Sequence, residues 1–405
     1  MMWPMIPVSE LCVLAVDCVN KTAPTVEYET EFKMIRTTNV KSGFIDLEEV
    51  RYVTEAVFQK WTRRSRPKYG DVILTREAPV GEVGRFTSDD DKVLLGQRLF
   101  HYRPDPKQLD WNFLAYVLQS PQVQGRFKGM GFGVTVDHVR VGDAERLPIP
   151  CPPLAIQKKI GDILSAYDDM IENNRRRIQL LEESARLVYK EWFVRLRFPG
   201  HEHVKIVDGV PEGWKKFLIS EVCETVGGGT PSTKIAENWN GEIEWIVPTD
   251  VTKNDCLFLL ESERRITDKG LRESSAKMVP PWTILMTSRA SVGYFGLTDK
   301  EVCTNQGFIN IIPFDDDFRM YILFNLMDRV NEIRANAKGT TYPEISKGQF
   351  RNMSVVLPPK LLAIQFGTVV FSVIQQIRCL KKATQRLDSA RDLLLPRLMN
   401  GEIAV

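Results

Sequence analysis

Apolar residues along the first 150 positions fall in short runs with a period near two, and after residue 153 the period changes to about three and a half. Asp71-Val72-Ile73-Leu74-Thr75 and Arg98-Leu99-Phe100-His101-Tyr102 are strand-like runs bounded by Gly and Pro. Pro148, Pro150, Pro152 and Pro153 end this pattern. Beyond them Ile156, Ile160, Ile163, Tyr167, Ile171, Asn174, Ile178, Leu181, Ala185, Val188 and Trp192 step by four and three, with one four-four step from Tyr167 to Ile171. That is the spacing of a coiled-coil seam, and it predicts a rod of about 40 helical residues, roughly 60 Å long. Asn174 in this seam is either a wet gap or a device that fixes register.

The pattern then recurs. A turn-rich stretch, residues 199–213, leads to a second mixed segment that runs to about residue 357. A second seam follows: Phe366, Val370, Val373, Ile377, Leu380, Thr384, Leu387, Leu394 and Leu398, missing one beat at Arg391. Short motifs repeat with it. Leu154-Ala155-Ile156-Gln157 is echoed by Leu362-Ala363-Ile364-Gln365, Ala78-Pro79-Val80-Gly81 by Ala290-Ser291-Val292-Gly293, and Ser184-Ala185-Arg186 by Ser389-Ala390-Arg391. A repeat of roughly 200 residues is too long for a solenoid. The expected fold is therefore α+β: two mixed α/β globular domains, residues 1–153 and 199–359, separated by two long antiparallel helices, 154–198 and 360–405, with an internal pseudo-twofold repeat. Such a molecule presents two similar surfaces at a fixed separation, as B-form DNA presents two groove faces.

Composition narrows the partners. With 54 basic and 52 acidic residues the net charge of +2 excludes a histone-like polycation, so a basic face has to be local. Seven cysteines without a C-x-x-C pair suit a reducing cytosol and argue against structural zinc. His201-x-His203 reads as a solvated loop rather than a metal site. No apolar run is expected to span a membrane, and Met1-Met2-Trp3-Pro4 begins no signal peptide, so the chain is expected to be cytoplasmic.

Catalytic motifs are poorly matched. Val279-Pro280-Pro281-Trp282 lacks the polar residue with which amino-methyltransferases hold a flipped base. Gly227-Gly228-Gly229-Thr230 lacks a nucleotide-gripping Lys and reads as a flexible turn that lets backbone approach a ligand. Asp17 with Glu31-Phe32-Lys33 could form a Mg²⁺ nuclease site, but the second half has no counterpart. Nucleic-acid signals are better. Lys60-Trp61-Thr62-Arg63-Arg64-Ser65-Arg66-Pro67-Lys68-Tyr69 holds five cations and two aromatics without one acid, against the alternative of a solvated loop. Arg36-Thr37-Thr38-Asn39-Val40-Lys41, echoed by Val247-Pro248-Thr249-Asp250-Val251-Thr252-Lys253, offers short polar side chains to base edges, or is a simple Asx-capped turn. Lys338-Gly339-Thr340-Thr341-Tyr342-Pro343 gathers a cation, hydroxyls and an aromatic, and Gly131-Phe132-Gly133-Val134-Thr135 with His138 holds the corresponding place in the first half.

The duplicated plan resembles the specificity subunits of type I restriction-modification systems. The resemblance covers essentially the whole chain and rests on the order and duplication of motifs such as Gly70-Asp71-Val72-Ile73-Leu74-Thr75, Pro152-Pro153-Leu154-Ala155-Ile156-Gln157, Gly227-Gly228-Gly229-Thr230-Pro231-Ser232 and Lys338-Gly339-Thr340-Thr341-Tyr342-Pro343. It implies that each globular domain is a target recognition domain reading half of a split, asymmetric double-stranded DNA site. It also implies no catalysis in this chain. Two methyltransferase subunits that use S-adenosylmethionine, and motor-nuclease subunits that use ATP and Mg²⁺, would be recruited. The DNA-contacting candidates are Thr37, Thr38, Asn39, Lys41, Arg63, Arg64, Arg66 and Lys68 in the first domain, and Thr249, Thr252, Lys253, Arg289, Lys338, Thr341 and Tyr342 in the second. The Arg and Lys residues would mainly hold phosphate, while Asn39, the Thr residues and Arg289 read bases. A lone Mg²⁺ nuclease and a purely structural coiled-coil scaffold are the competing readings.

Overall fold

A computed structural model describes residues 3–41, 43–129, 138–207, 209–339 and 342–405. The chain forms two compact units, Met1–Ile171 with Arg386–Val405, and Glu172–Gln385, so each unit takes in part of both long helices.

In the first unit, strands Cys12–Asp17, Leu99–Pro104, Val72–Thr75 and Val83–Arg85 pair antiparallel in that order. Val83–Arg85 continues in parallel to Gly43–Ile45, which pairs with Val40–Lys41. A second sheet sets Lys33–Ile35 between Arg51–Tyr52, antiparallel, and Val93–Leu95, parallel. Val72 and Leu74 join Phe100, Tyr102 and helix Trp111–Gln119 in one core, while Ile73 packs with Ile35, Val40, Phe86 and Val93 in another. Both faces of that strand are covered, which is why its sequence is apolar without alternation. The prolines at 148 and 150 lie in Pro148–Pro150, which pairs antiparallel with Met5–Pro7 in a two-stranded sheet where a missing N–H interrupts no central ladder. The first long helix, Leu154–Tyr189, starts directly after, with the Ile156 and Gln157 amides donating to the Pro153 carbonyl. Gln157 is buried and fastens this start. The Asp110 amide donates to its Oε1 at 2.9 Å, and its Nε2 donates to the Gln108 and Pro152 carbonyls at 3.0 and 2.8 Å.

The second unit repeats the pairing order. Lys215–Leu218 pairs with Ser354–Leu357; Cys223–Gly227, Phe308–Pro313, Ile284–Thr287 and Phe295–Gly296 form one sheet. Trp239–Ile246 lies between Arg264–Ile266, antiparallel, and Val302–Thr304, parallel. Registers agree residue by residue: Ile73 faces Gly84 in the first unit, and Leu285 faces Gly296 in the second. An aromatic cluster fills the core against the helices, with the Phe193 ring 4.8 Å from Tyr321 and 5.0 Å from Phe366.

Three expectations about the helices are corrected. Ile163 is exposed and Leu164 takes the buried position, because the packed face follows a straight helix through Ile160, Leu164, Asp168 and Ile171 rather than the strict seam. The Leu-Ala-Ile-Gln echo is also out of step. The second long helix, Lys360–Met399, begins after Pro359 as the first begins after Pro153, and Ala363, buried, occupies the place of Gln157 while Gln365 is exposed. That helix contains an 18-residue window of mean hydropathy 1.4, long and apolar enough to cross a membrane by length and composition, contrary to the expectation from sequence. Phe366, Val370, Ile374 and Ile377 on it are core residues of the second unit.

Counted from those prolines, the beat missing at Arg391 has a cause. Asp168 is 2% exposed and receives Arg85 at 2.9 Å, Arg391 at 2.8 Å and the Tyr116 hydroxyl. Arg85 also donates to the Gly43 carbonyl and to Asn112 Oδ1, at 3.2 and 3.1 Å. Burial, with the neighbouring carboxylate adding to it, pushes the Tyr116 hydroxyl pKa up, so it stays a donor. The matching positions of the second unit are Leu297, Ile374 and Ala185, which share one apolar core. Removing one member of a buried ion network leaves an unpaired charge, whereas apolar replacement of the whole set is often neutral. Asp168→Ala is therefore expected to destabilise the first unit by about 3–5 kcal/mol in calorimetric or denaturant unfolding. The triple exchange Arg85→Leu, Asp168→Ile, Arg391→Ala should recover most of that loss; a silent Asp168→Ala would contradict the assignment.

Candidate nucleic-acid interface

The basic loop follows helix Glu55–Trp61, whose Thr54 cap accepts from the Val57 amide at 3.4 Å. Phe58 and Trp61 are buried with Met34 and Val53, and the Trp61 Nε1 donates to the Lys21 carbonyl. Trp61 is thus core, not a stacking ring, and only Tyr69 of the two aromatics is exposed. The run contains no acid in sequence, yet Arg64 is paired with Asp17 at 2.7 Å, and Arg66 lies 4.9 Å over the Phe58 ring. Arg63 and Lys68 are exposed and form no ion pair among the described residues.

Asp71 fixes this loop to the sheet. Its carboxylate accepts from the Lys68 amide at 2.7 Å and from Arg103 at 2.8 and 2.7 Å, and meets His101 Nε2 at 2.6 Å. Arg103 in turn donates to the Arg66 carbonyl at 2.7 Å. Burial works against the charge on Asp71, but the His101 and Arg103 hydrogen bonds outweigh it and hold the carboxyl below its ordinary range. Backbone groups at both 66 and 68 are therefore anchored while the side chains of Arg63 and Lys68 face solvent.

The turn Thr37–Asn39 is held by Asn39, whose Oδ1 accepts from the Arg36 amide at 2.9 Å and whose Nδ2 donates to the Glu49 carbonyl at 3.0 Å. Asn39 is buried with both polar ends used, so it is a cap and not a base reader. Thr38 and Lys41 are exposed, and Thr37 donates through Oγ1 to the Ala78 carbonyl at 3.0 Å. That carbonyl lies in a hairpin closed by Thr75, whose Oγ1 donates to Pro79 O and accepts from the Glu82 amide while its own carbonyl accepts from Gly81.

The second unit builds the same two features. Asp250 caps Pro248–Thr252 by accepting from the Val247 amide at 2.8 Å, as Asn39 does from Arg36. Thr249 and Lys253 are exposed and Thr252 is half-buried. Thr287 closes the hairpin as Thr75 does, with Gly293 donating to its carbonyl and Tyr294 to its Oγ1. Arg289 on this hairpin pairs with Glu344 at 2.9 Å, and the Lys338 and Glu344 backbones bond to each other in both directions at 2.9 Å. The structure so brings together Arg289, Lys338 and the exposed Tyr342; Thr341 lies outside the described residues, as does 131–135. The twelve described candidates other than Asn39 and Thr252 divide between these surfaces, and Arg64 and Arg289 already hold carboxylates.

Two further expectations change, at the triple glycine and at Asp17, and the Pro280 turn is placed. Gly228 and Gly229 serve close internal packing, since a Cβ on either would lie within 2.4 Å of Thr304 and Asn305 or of Ser275 and Ala276. They are not a flexible ligand loop. Asp17, Glu31 and Lys33 each engage a different opposite charge, Arg64, Lys92 and Asp90, so they do not converge on one metal. Pro280 and Trp282 form a tight turn in which the Trp282 ring packs 5.0 Å from Phe371.

A family model described as the type I restriction modification DNA specificity domain matches residues 28–183 and again 211–369. The chain belongs to this family. It is 24% identical over 404 residues to the type I restriction enzyme HindI specificity subunit of Haemophilus influenzae, covering 83% of this chain and 87% of that one. It is 34% identical over 181 residues to the MjaIX specificity subunit of Methanocaldococcus jannaschii, but that match covers 44% of this chain and only 42% of the relative. The fold is that of the type I restriction-modification S subunit from M. genitalium, with a TM-score of 0.60 at 17% identity over 98% of this chain and 96% of that one.

For a specificity-domain protein the exposed cations are expected to contact phosphate. Arg63→Ala should weaken binding to every duplex alike and lower the slope of log K against log salt by about one. An unchanged slope would remove Arg63 from the interface.

Proposed function

We propose that the chain is the sequence-reading specificity subunit of a type I restriction-modification complex, with a target recognition domain in each half and the long helices as an antiparallel spacer. The observation that carries this reading is repetition with substitution. The same capped turn and the same threonine-closed hairpin recur in both units, yet they display Thr37, Thr38 and Glu77 in one and Thr249, Lys253 and Arg289 in the other. Equal scaffolds with unequal side chains suit two different half-sites, hence a bipartite, asymmetric DNA sequence rather than a palindrome.

The spacer is supported by opposite running numbers. Asp168 meets Arg391 in the first unit and Tyr189 lies 5.9 Å from Phe366 in the second. A helix of 36 residues is about 54 Å long, enough to separate two readers by more than one turn of DNA. The shared register supports an internal repeat, and two equivalent halves would let two copies of one methyltransferase dock on a single chain. Chemistry is assigned to partners: methyltransferase subunits with S-adenosylmethionine, and motor-nuclease subunits with ATP and Mg²⁺, in the cytoplasm with no membrane role.

A spacer of fixed length has a direct test. One base pair inserted between the half-sites lengthens the site by about 3.4 Å and rotates one half by roughly a tenth of a turn. Binding of the full chain to such duplexes should fall about tenfold or more, at the scale of a mismatched base pair. Equal binding at all spacings would contradict the spacer.

A further inference from the structure

Arg98 is exposed, yet its backbone sits at φ 72 in the left-handed region that favours glycine. Its carbonyl accepts from the Arg76 amide at 2.9 Å, in the way the Gly307 carbonyl accepts from Ser288 at 2.8 Å in the second unit. The second unit has a glycine at this position, yet Gly307 lies outside the left-handed region, so the positive φ belongs to Arg98 of the first unit and not to the shared turn. The side chain does not explain the strain through stability: Arg98 Nε meets Glu77 Oε2 at 3.0 Å with 45% and 28% of the two side chains exposed, and such solvated pairs contribute little. Strained residues of this kind concentrate where a side chain must be aimed.

What Arg98 is aimed at follows from its neighbours. Glu77 precedes Ala78 on the threonine-closed hairpin, and the Ala78 carbonyl is the group that Thr37 holds. Arg98, Glu77, Thr37 and the exposed Thr38 therefore form one surface. The corresponding hairpin of the second unit carries its own guanidinium held by a carboxylate, Arg289 on Glu344 at 2.9 Å, both about half exposed. The two pairs are assembled from different positions: the backbone bridge is Glu77 with His138 in one unit and Arg289 with Glu344 in the other. A carboxylate on one edge of a guanidinium fixes its plane and leaves other N–H donors for a second acceptor pair. In a major groove that pair is O6 and N7 of guanine.

We propose that Arg98 and Arg289 are the guanine-reading residues of the two units, and that Glu77 and Glu344 are positioning residues that hold their forks. This rests on the reading of the chain as a DNA specificity subunit. Phosphate is the weaker assignment for either arginine, because the adjacent carboxylate repels it.

Selection of the purified full chain on randomised duplexes tests it. Arg98→Gly places at φ 72 the residue that tolerates it best, so it should fold with an unchanged unfolding midpoint or a raised one. It should lose preference for one G·C pair in one half-site by about tenfold to a hundredfold, leaving the other half-site intact. Arg289→Ala should do the same in the opposite half. Glu77→Gln should weaken preference at the same base pair as Arg98→Gly, and nowhere else. An unchanged motif for Arg98→Gly, or a uniform loss over all sequences, overturns the assignment. A wild-type chain that enriches no sequence instead overturns the DNA-reading function beneath it, and the inference with it.

Discussion

Burial of the Asp168 carboxylate constrains how the sheet, the helix behind it and the second long helix dock in the first unit. A charge at 2% exposure requires partners, and it has two guanidiniums and a phenol, each from a different element: Arg85 from an inner strand of the sheet, Tyr116 from the helix Trp111–Gln119 and Arg391 from the second long helix. Arg391 continues to Asp388 and Asp392 at 3.3 and 2.9 Å, so the charge is relayed to solvent. Apolar packing would permit small slips of helix on sheet; a shared carboxylate permits few. The second unit solves the same docking problem with Leu297, Ile374 and Ala185. The two halves therefore share a framework while differing in what holds it.

The framework matters because of what it carries. Turn and hairpin are each fixed by a side chain that is itself spent, Asn39 or Asp250 for the turn and Thr75 or Thr287 for the hairpin. Exposed neighbours such as Thr38 and Lys253 are then not needed to hold either element. Asp71 does the same for the basic loop, tying backbone at 66 and 68 while Arg63 and Lys68 stay in solvent. Recognition side chains on anchored loops lose less conformational freedom on binding.

Much of this was legible in the sequence. The strand at 72–75, the proline stop and both long helices follow from periodicity and punctuation, and the duplication from echoed motifs. Periodicity could not separate Ile163 from Leu164, since adjacent apolar residues satisfy either a three-four seam or a straight helix. Motif identity misled at Gln365, because two residues separate the Leu-Ala-Ile-Gln echo from the proline-defined register. Asn39 looked like a base reader for the same chemical reason that makes it a good cap. Trp61, Gly228 and Gly229 were misread because composition does not report which side of a loop faces the core. Arg98 offered no signal at all: its left-handed backbone and its pairing with Glu77 exist only in three dimensions.

The central claim is that two unequal readers on one spacer direct modification of a split DNA sequence. Mapping adenine methylation across the genome of cells with and without the chain tests this most directly. The account predicts that one interrupted, non-palindromic motif loses its methylation when the chain is absent. Unchanged methylation, or loss at an uninterrupted or palindromic motif, would contradict it.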